Sequence, residues 1–331
     1  MKTSLLFGRT ACGFIAICAI VLWAGLPRSL QADETPPAAA APGGPRLFDS
    51  PEEAARALLA ATKAKDKTAI HEIFGPQAHE LLSSGDPVQD KAEFTSFATE
   101  ISQMCNLVRQ GDDKIILYIG AENWPFPIPL VKKDGQWFFD VVAGRDELIN
   151  RRIGEDEIIA IGVCRAYVEA QREYASEDRA GDGVLKYAQK LMSTPGKRDG
   201  LYWEPVQDEP LSPFGPLVAE AREEGYGQNH QKGHHQPFHG YLFKILTAQG
   251  AAAPGGPYNY IINGNMIAGF ALIAYPANWG DSGVMTFIVN QQGKVYQCNL
   301  GEKSADLASA ITEFNPDDQW AVVQEPGAVW K

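Results

Sequence analysis

The stretch Ile128-Pro129-Leu130-Val131-Lys132-Lys133-Asp134-Gly135-Gln136-Trp137-Phe138-Phe139 decides the fold class of the first half of the chain. Two short β-type runs, 128–132 and 136–142, flank Lys133-Asp134-Gly135. An Asp-Gly pair between apolar runs is among the better local hairpin signals. A third run of the same kind, Lys114–Ile119, precedes them. Upstream the apolar period is helical. Asp49 or Ser50, then Pro51 and Glu52-Glu53, form a helix start, and Leu58, Leu59, Ile70 and Phe74 carry the stripe across the Lys/Asp-rich break at 63–67. A second amphipathic helix is expected from about Asp90 to Met104, burying Phe94, Phe97, Ile101 and Met104. Helices followed by antiparallel strands predict an α+β domain over 47–150.

Downstream, Glu155 to about Ala175 reads as one long helix with Ile158, Ile161, Val163, Tyr167, Val168 and Tyr174 as core contacts. A short helix is expected near Val184–Met192, and 195–240 is irregular, dense in Gly, Pro, Asn and His. Connections that long are usually functional or disordered. The tail returns to strands at 240–248, 258–262, 266–274, 284–290 and 294–299, with Asn263-Gly264 and Gln291-Gln292-Gly293 as turns. Ser304 is expected to cap a helix reaching about Glu313. Residues 151–331 therefore read as a helix, irregular loops and an antiparallel sheet, giving a helical first half and a β-rich second half.

The amino terminus bears on location. Lys2 and Arg9 precede an apolar run from Ala11 to Leu26, and Leu30-Gln31-Ala32 is a small-residue exit. This is the layout of a cleavable signal peptide over 1–32, with cleavage near Ala32 and a periplasmic or secreted product. The run falls short of the ~20 residues a spanning helix needs, so no stable membrane span is expected after cleavage. Residues 33–46 form a Pro/Ala/Gly linker. The leader carries three of the 29 basic residues and none of the 41 acids, which leaves a balance of about −15. So acidic a chain has no electrostatic footprint for nucleic acid. Cys105, Cys164 and Cys298 remain after cleavage, an odd and widely spaced set. They permit one long-range bridge and a free thiol, or three buried small hydrophobes.

Three resemblances arise from these residues. The helix pair ending in Lys133-Asp134-Gly135-Gln136-Trp137-Phe138-Phe139 resembles the cone of nuclear-transport-factor-2-like domains, a fold that hosts enzymes and binding modules alike. In the second half, Gly200-Leu201-Tyr202-Trp203-Glu204-Pro205 is followed by Ser212-Pro213-Phe214-Gly215-Pro216-Leu217 and by Glu224-Gly225-Tyr226. The segments 237–250, 269–277 and 282–290 complete the set. Together they resemble the domain-of-unknown-function family 2950 of exported bacterial proteins. The resemblance covers nearly the whole mature chain and implies export from a Gram-negative-type cell, with no catalytic residues to carry over. The strand-turn-strand tail is weakly similar to pilin-like secreted domains, without their assembly helix.

Four constellations are candidates for chemistry. His230, His234, His235 and His239 crowd into ten residues, a density suited to zinc, copper or nickel. Gly233, Pro237 and Gly240 argue against a helix there, and a solvated loop is the simpler reading. Gly280-Asp281-Ser282-Gly283 resembles the nucleophile segment of serine proteases, but joins two expected strands where these are ordinary turn residues. Glu155-Asp156-Glu157 is read as the acidic start of a helix. Tyr202, Trp203, Tyr241 and Trp279, beside Pro/Gly-rich segments, are candidate ligand-binding rings, with core packing as the plainer role.

The sequence reading is an exported, non-catalytic envelope module that binds an unidentified ligand or partner protein. The alternatives are a metal-dependent hydrolase or metal-handling protein built on His230–His239, and a surface assembly component with a pilin-like tail.

Overall fold

The computed structural model describes residues 44–78, 83–207, 210–224, 226 and 236–324. All lie within one compact unit, Ala40–Lys331. The leader at 1–32, linker residues 33–43, and His230, His234 and His235 lie outside the described residues.

The architecture is α+β. Helix α1 (Pro51–Ala64) begins where the Ser50 side chain accepts from the Glu53 amide at 3.2 Å with Pro51 in the first turn, and Lys65 at φ 53 closes it. Helices α2 (Lys67–Phe74) and α3 (Pro87–Gln103) are capped by Asp66 and Asp86. They pack on an antiparallel sheet of β1 (Cys105–Arg109), β2 (Lys114–Ile119), β3 (Trp124–Pro125), β4 (Leu130–Lys133) and β5 (Gln136–Phe139), ordered β1-β2-β4-β5 with β3 on β2. The β4–β5 hairpin turns on Asp134 (φ 52) and Gly135 (φ 86), as its sequence predicts. Period-2 alternation sends Ile115, Leu117 and Ile119 into a core with Leu58, Ile73, Phe74, Ile101 and Phe139. Phe126 stacks on Phe97 at 5.0 Å and meets Phe139 edge-on at 6.5 Å.

Helix α4 (Val141–Tyr174) leaves this core and enters the second. There α5 (Gly215–Glu224), α6 (Ser304–Ala310) and, among the described residues, ten strands follow, of which β6 (Tyr241–Leu246), β11 (Ala271–Pro276), β12 (Thr286–Asn290), β13 (Tyr296–Cys298) and β15 (Ala321–Val322) form a sheet ordered β15-β13-β12-β11-β6. Every pairing in it is antiparallel. Short strands β7 (Ala248–Gln249), β8 (Tyr258–Asn259) and β14 (Glu313–Phe314) make a three-stranded piece. The pair β9 (Ile261–Ile262) and β10 (Asn265–Met266) is closed by Asn263-Gly264, both at positive φ. Phe270, Leu272, Phe287 and Val289 are fully buried here, beside Tyr167 of α4. No described helix is long and apolar enough to cross a membrane.

Four local expectations are corrected. The long helix starts at Val141, because the Asp140 side chain accepts from the Ala143 amide and ends the strand at Phe139. Ile158, expected in the core, is 70% exposed. Residues 184–192 are extended, not helical: the buried Gln171 amide holds both backbone groups of Ala188, and Tyr187 bridges to Met266. Ser304 does not cap its helix through a side chain; its hydroxyl donates back to Gly301 O at 2.6 Å, and the helix stops at Ala310. Strand β1, too polar to stand out in the sequence, completes the first sheet.

Candidate functional site

The outward face of the first sheet carries a cleft of about 350 Å³. Its floor follows from the alternation in β2, which turns Lys114, Ile116 and Tyr118 away from the core. Its wall is the start of α4. Gly144, Glu147 and Arg151 recur at three and four residues and share one face. A Cβ at Gly144 would come within 2.7 Å of both the Ile128 Cα and the Pro127 carbonyl oxygen, so only glycine lets the helix lie this close to the sheet. Arg151 is held there by Glu147 at 2.7 Å, by the Pro125 carbonyl at 2.8 Å and by the Trp124 ring, 4.6 Å beneath its guanidinium. Trp124 remains 38% exposed. Glu147 and Arg151 neutralise one another, whereas Lys114 makes no ion pair among the described residues. The lining thus mixes polar and apolar groups: Ile116, Tyr118, Pro125 and Phe126 beside Gln110, the Glu147–Arg151 pair and the Lys114 cation.

A second polar cluster lies where the two cores meet. Gln89 Nε2 donates to Asp156 Oδ1 at 2.7 Å, linking α3 to the middle of α4. Asp156 is fully buried, and burial pushes its carboxyl up to about 8. Arg152 Nη1 donates to Asp281 Oδ1 at 2.9 Å, and Glu157 Oε1 accepts from the amides of Val284 and Met285 at 3.0 Å each. Asp86, besides capping α3, accepts from the Tyr226 hydroxyl at 2.7 Å; burial and that carboxylate raise the Tyr226 phenol. The His239 amide donates to the Tyr226 oxygen at 3.2 Å.

The structure disperses the candidates chosen from sequence. Tyr202, Trp203 and Tyr241 are buried in the second core. The Tyr241 hydroxyl donates to Met285 O at 2.8 Å, and the guanidinium groups of Arg179 and Arg198 lie 5.3 and 5.5 Å from the Trp203 ring centre. Trp279 is half-buried and donates to Asn299 Oδ1 at 2.9 Å. His239 sits 2.9 Å from Glu224 Oε2 and packs on Tyr226 and Phe238. No group of three His, Cys, Asp or Glu residues converges as a metal would need among the described residues. Ser282 is wholly buried, and its hydroxyl donates to Gly240 O at 2.9 Å, which ties the turn to the strand entry. The acidic triplet lies inside α4 and not at its start: Glu155 is exposed, Asp156 buried, and Glu157 binds the Val284 and Met285 amides.

Sequence reasoning missed Arg151, Tyr118 and Lys114, whose types are ordinary for a surface. It had a signal for the junction. Arg152, Asp156, Ala160, Val163 and Tyr167 follow one helical stripe, and a charged pair at its head marks a buried polar contact.

The profile of the family described as protein of unknown function (DUF2950) matches residues 45–323, and the chain belongs to that family. No curated protein matches the chain, and no solved structure does.

Proposed function

We propose that this family member is an exported, non-catalytic binding module that works in the bacterial envelope and takes a small organic anion with an apolar face into the cleft over its first sheet. The carrying observation is the lining itself: Lys114 stands uncompensated at the edge of a floor made by Ile116, Tyr118, Pro125 and Phe126. The cleft is open to solvent, and its volume of about 350 Å³ falls at the lower end of the range for small-molecule sites. The non-catalytic reading draws support from the way reactive side-chain types are committed elsewhere. Ser282 is locked in a turn, His239 is paired with Glu224, and Glu157 is spent on two backbone amides. Export rests on the layered leader at 1–32.

The binding test uses sodium octanoate and octyltrimethylammonium as paired probes. Addition of octanoate to the mature chain is expected to shift the amide resonances of Ile116, Tyr118 and Trp124, and the cation to leave them in place. Lys114→Gln should weaken octanoate binding several-fold. Equal response to both probes, or none to either, would overturn the assignment. For export, amino-terminal sequencing of protein from the envelope fraction should begin at Asp33; a retained Met1 in the cytoplasmic fraction argues against it.

A further inference from the structure

We propose that the junction of α3, α4 and the turn at Gly240 is a proton-operated latch, closed while the Asp156 carboxyl is neutral and loosened when that carboxyl ionises. The geometry carries this. Asp156 Oδ1 holds Gln89, but Asp156 Oδ2 and Gln89 Oε1 are buried with no hydrogen-bond partner among the described residues. Both of these orphan atoms are acceptors, the Arg152 Nε donor one turn away on α4 makes no hydrogen bond to either, and a proton on the carboxyl supplies a donor between them. The Gly240 backbone lies against Oδ2: a Cβ there would lie 2.9 Å from Oδ2 and 2.6 Å from Ser282 Cβ.

The charges around the carboxyl point the same way. Glu93 faces it from α3, with Asp86 and Asp90 on neighbouring turns. Glu155 and Glu157 flank it on α4, Asp281 comes from the turn, and the Tyr241 phenol from β6. The cation among them, Arg152, donates to Asp281. Ionising Asp156 places a negative charge on a fully buried group with acids on most sides of it. Burial is the main reason its carboxyl titrates at about 8, with Gln89 and Arg152 acting in the opposite direction.

The linkage has a definite sign. An unfolded aspartate titrates near ~3.9. Between there and about 8 the folded chain holds one more proton than the unfolded chain. Stability from this group is therefore full at the acidic end and falls as pH rises across that window, with the unfolding constant growing by up to about tenfold per unit.

The test is urea unfolding of the mature chain and of Asp156→Asn at pH 5, 6, 7 and 8. The wild-type unfolding constant is expected to climb more steeply than that of the variant, and the variant to be the more stable at pH 8. Parallel slopes overturn the proposal. Amide exchange of Gly240, Ser282 and Val284 in the wild type, corrected for intrinsic base catalysis, should accelerate over the same window. Unchanged protection there would leave a buried acid but no latch. If the variant does not fold, the Asp156 carboxyl midpoint in the wild type, read by carbon NMR, decides: a value in the ordinary carboxylate range sinks the idea.

Discussion

Gln89 and Asp156, 67 residues apart in sequence, meet side chain to side chain with Nε2 2.7 Å from Oδ1. It is the one hydrogen bond that the Asp156 side chain makes among the described residues, and it joins a helix of the first core to the helix that runs into the second. Removing the amide as Gln89→Leu strips the carboxyl of a donor that favours its charged form. The Asp156 midpoint should move upward, and stability at neutral pH should fall by about 1–3 kcal/mol. A carbon NMR titration reads the first effect and urea unfolding the second; a downward midpoint contradicts the geometry.

Gly240 holds φ +68 against Ser282 and Asp156. Gly240→Ala therefore meets both backbone strain and a collision with Ser282 Cβ at 2.6 Å and Asp156 Oδ2 at 2.9 Å. A loss of about 2–4 kcal/mol is expected, since a strained φ alone costs about 1–3 kcal/mol. An unchanged denaturation midpoint would show that the turn yields freely.

Gln171 satisfies the amide and carbonyl of Ala188 and donates to the Tyr167 hydroxyl at 2.9 Å, all out of contact with water. Gln171→Leu leaves those groups without partners. We expect a cost of about 2–4 kcal/mol, from stranded groups worth about 1–3 kcal/mol each. Exchange protection should be lost first at Ala188 and Tyr187, and loss elsewhere with those amides intact would refute the pinning role.

Ser282 gives a chemical prediction. A fluorophosphonate probe should not label it in the folded protein, because its hydroxyl is buried and engaged with Gly240 O and Asn278 O. Ser282→Ala should cost about 1 kcal/mol. Stoichiometric labelling at Ser282 would reopen nucleophilic catalysis.

The three described cysteines are free thiols with unequal access. Cys105 is half-buried, whereas Cys298 and Cys164 are buried, and burial pushes the Cys164 thiol up to about 12. A thiol reagent at pH 8 should modify Cys105 first and Cys164 only on unfolding. Mass mapping that finds Cys164 modified as early as Cys105 would contradict this order.

Much of the fold was legible because local physics dictated it. Ser50 with Pro51, Asp134-Gly135 and Asn263-Gly264 encode a helix start and two turns through their own φ preferences and side-chain acceptors. Strand β2 was readable from end to end because alternation alone sorts Ile115, Leu117 and Ile119 from Lys114, Ile116 and Tyr118. Residues 184–192 misled for the opposite reason: their conformation is set by Gln171, a partner the local pattern does not contain. Tyr202, Trp203 and Tyr241 took the plainer of their two expected roles, core packing, because large rings contribute most of their energy when buried.

By itself the sequence determined the α+β class, the family and the positions of most turns, all properties of short-range pattern and composition. Only the tertiary structure decided that Glu147 and Arg151, the latter stacked on Trp124, wall a cleft beside Lys114, and that Asp156 lies buried against Gly240. Those relations depend on close approach between segments distant in the chain. A carboxylate on a helix has the same spelling whether the neighbouring surface is water or a glycine backbone, and burial against that backbone is what turns Asp156 from a solvated charge into a proton-holding acid.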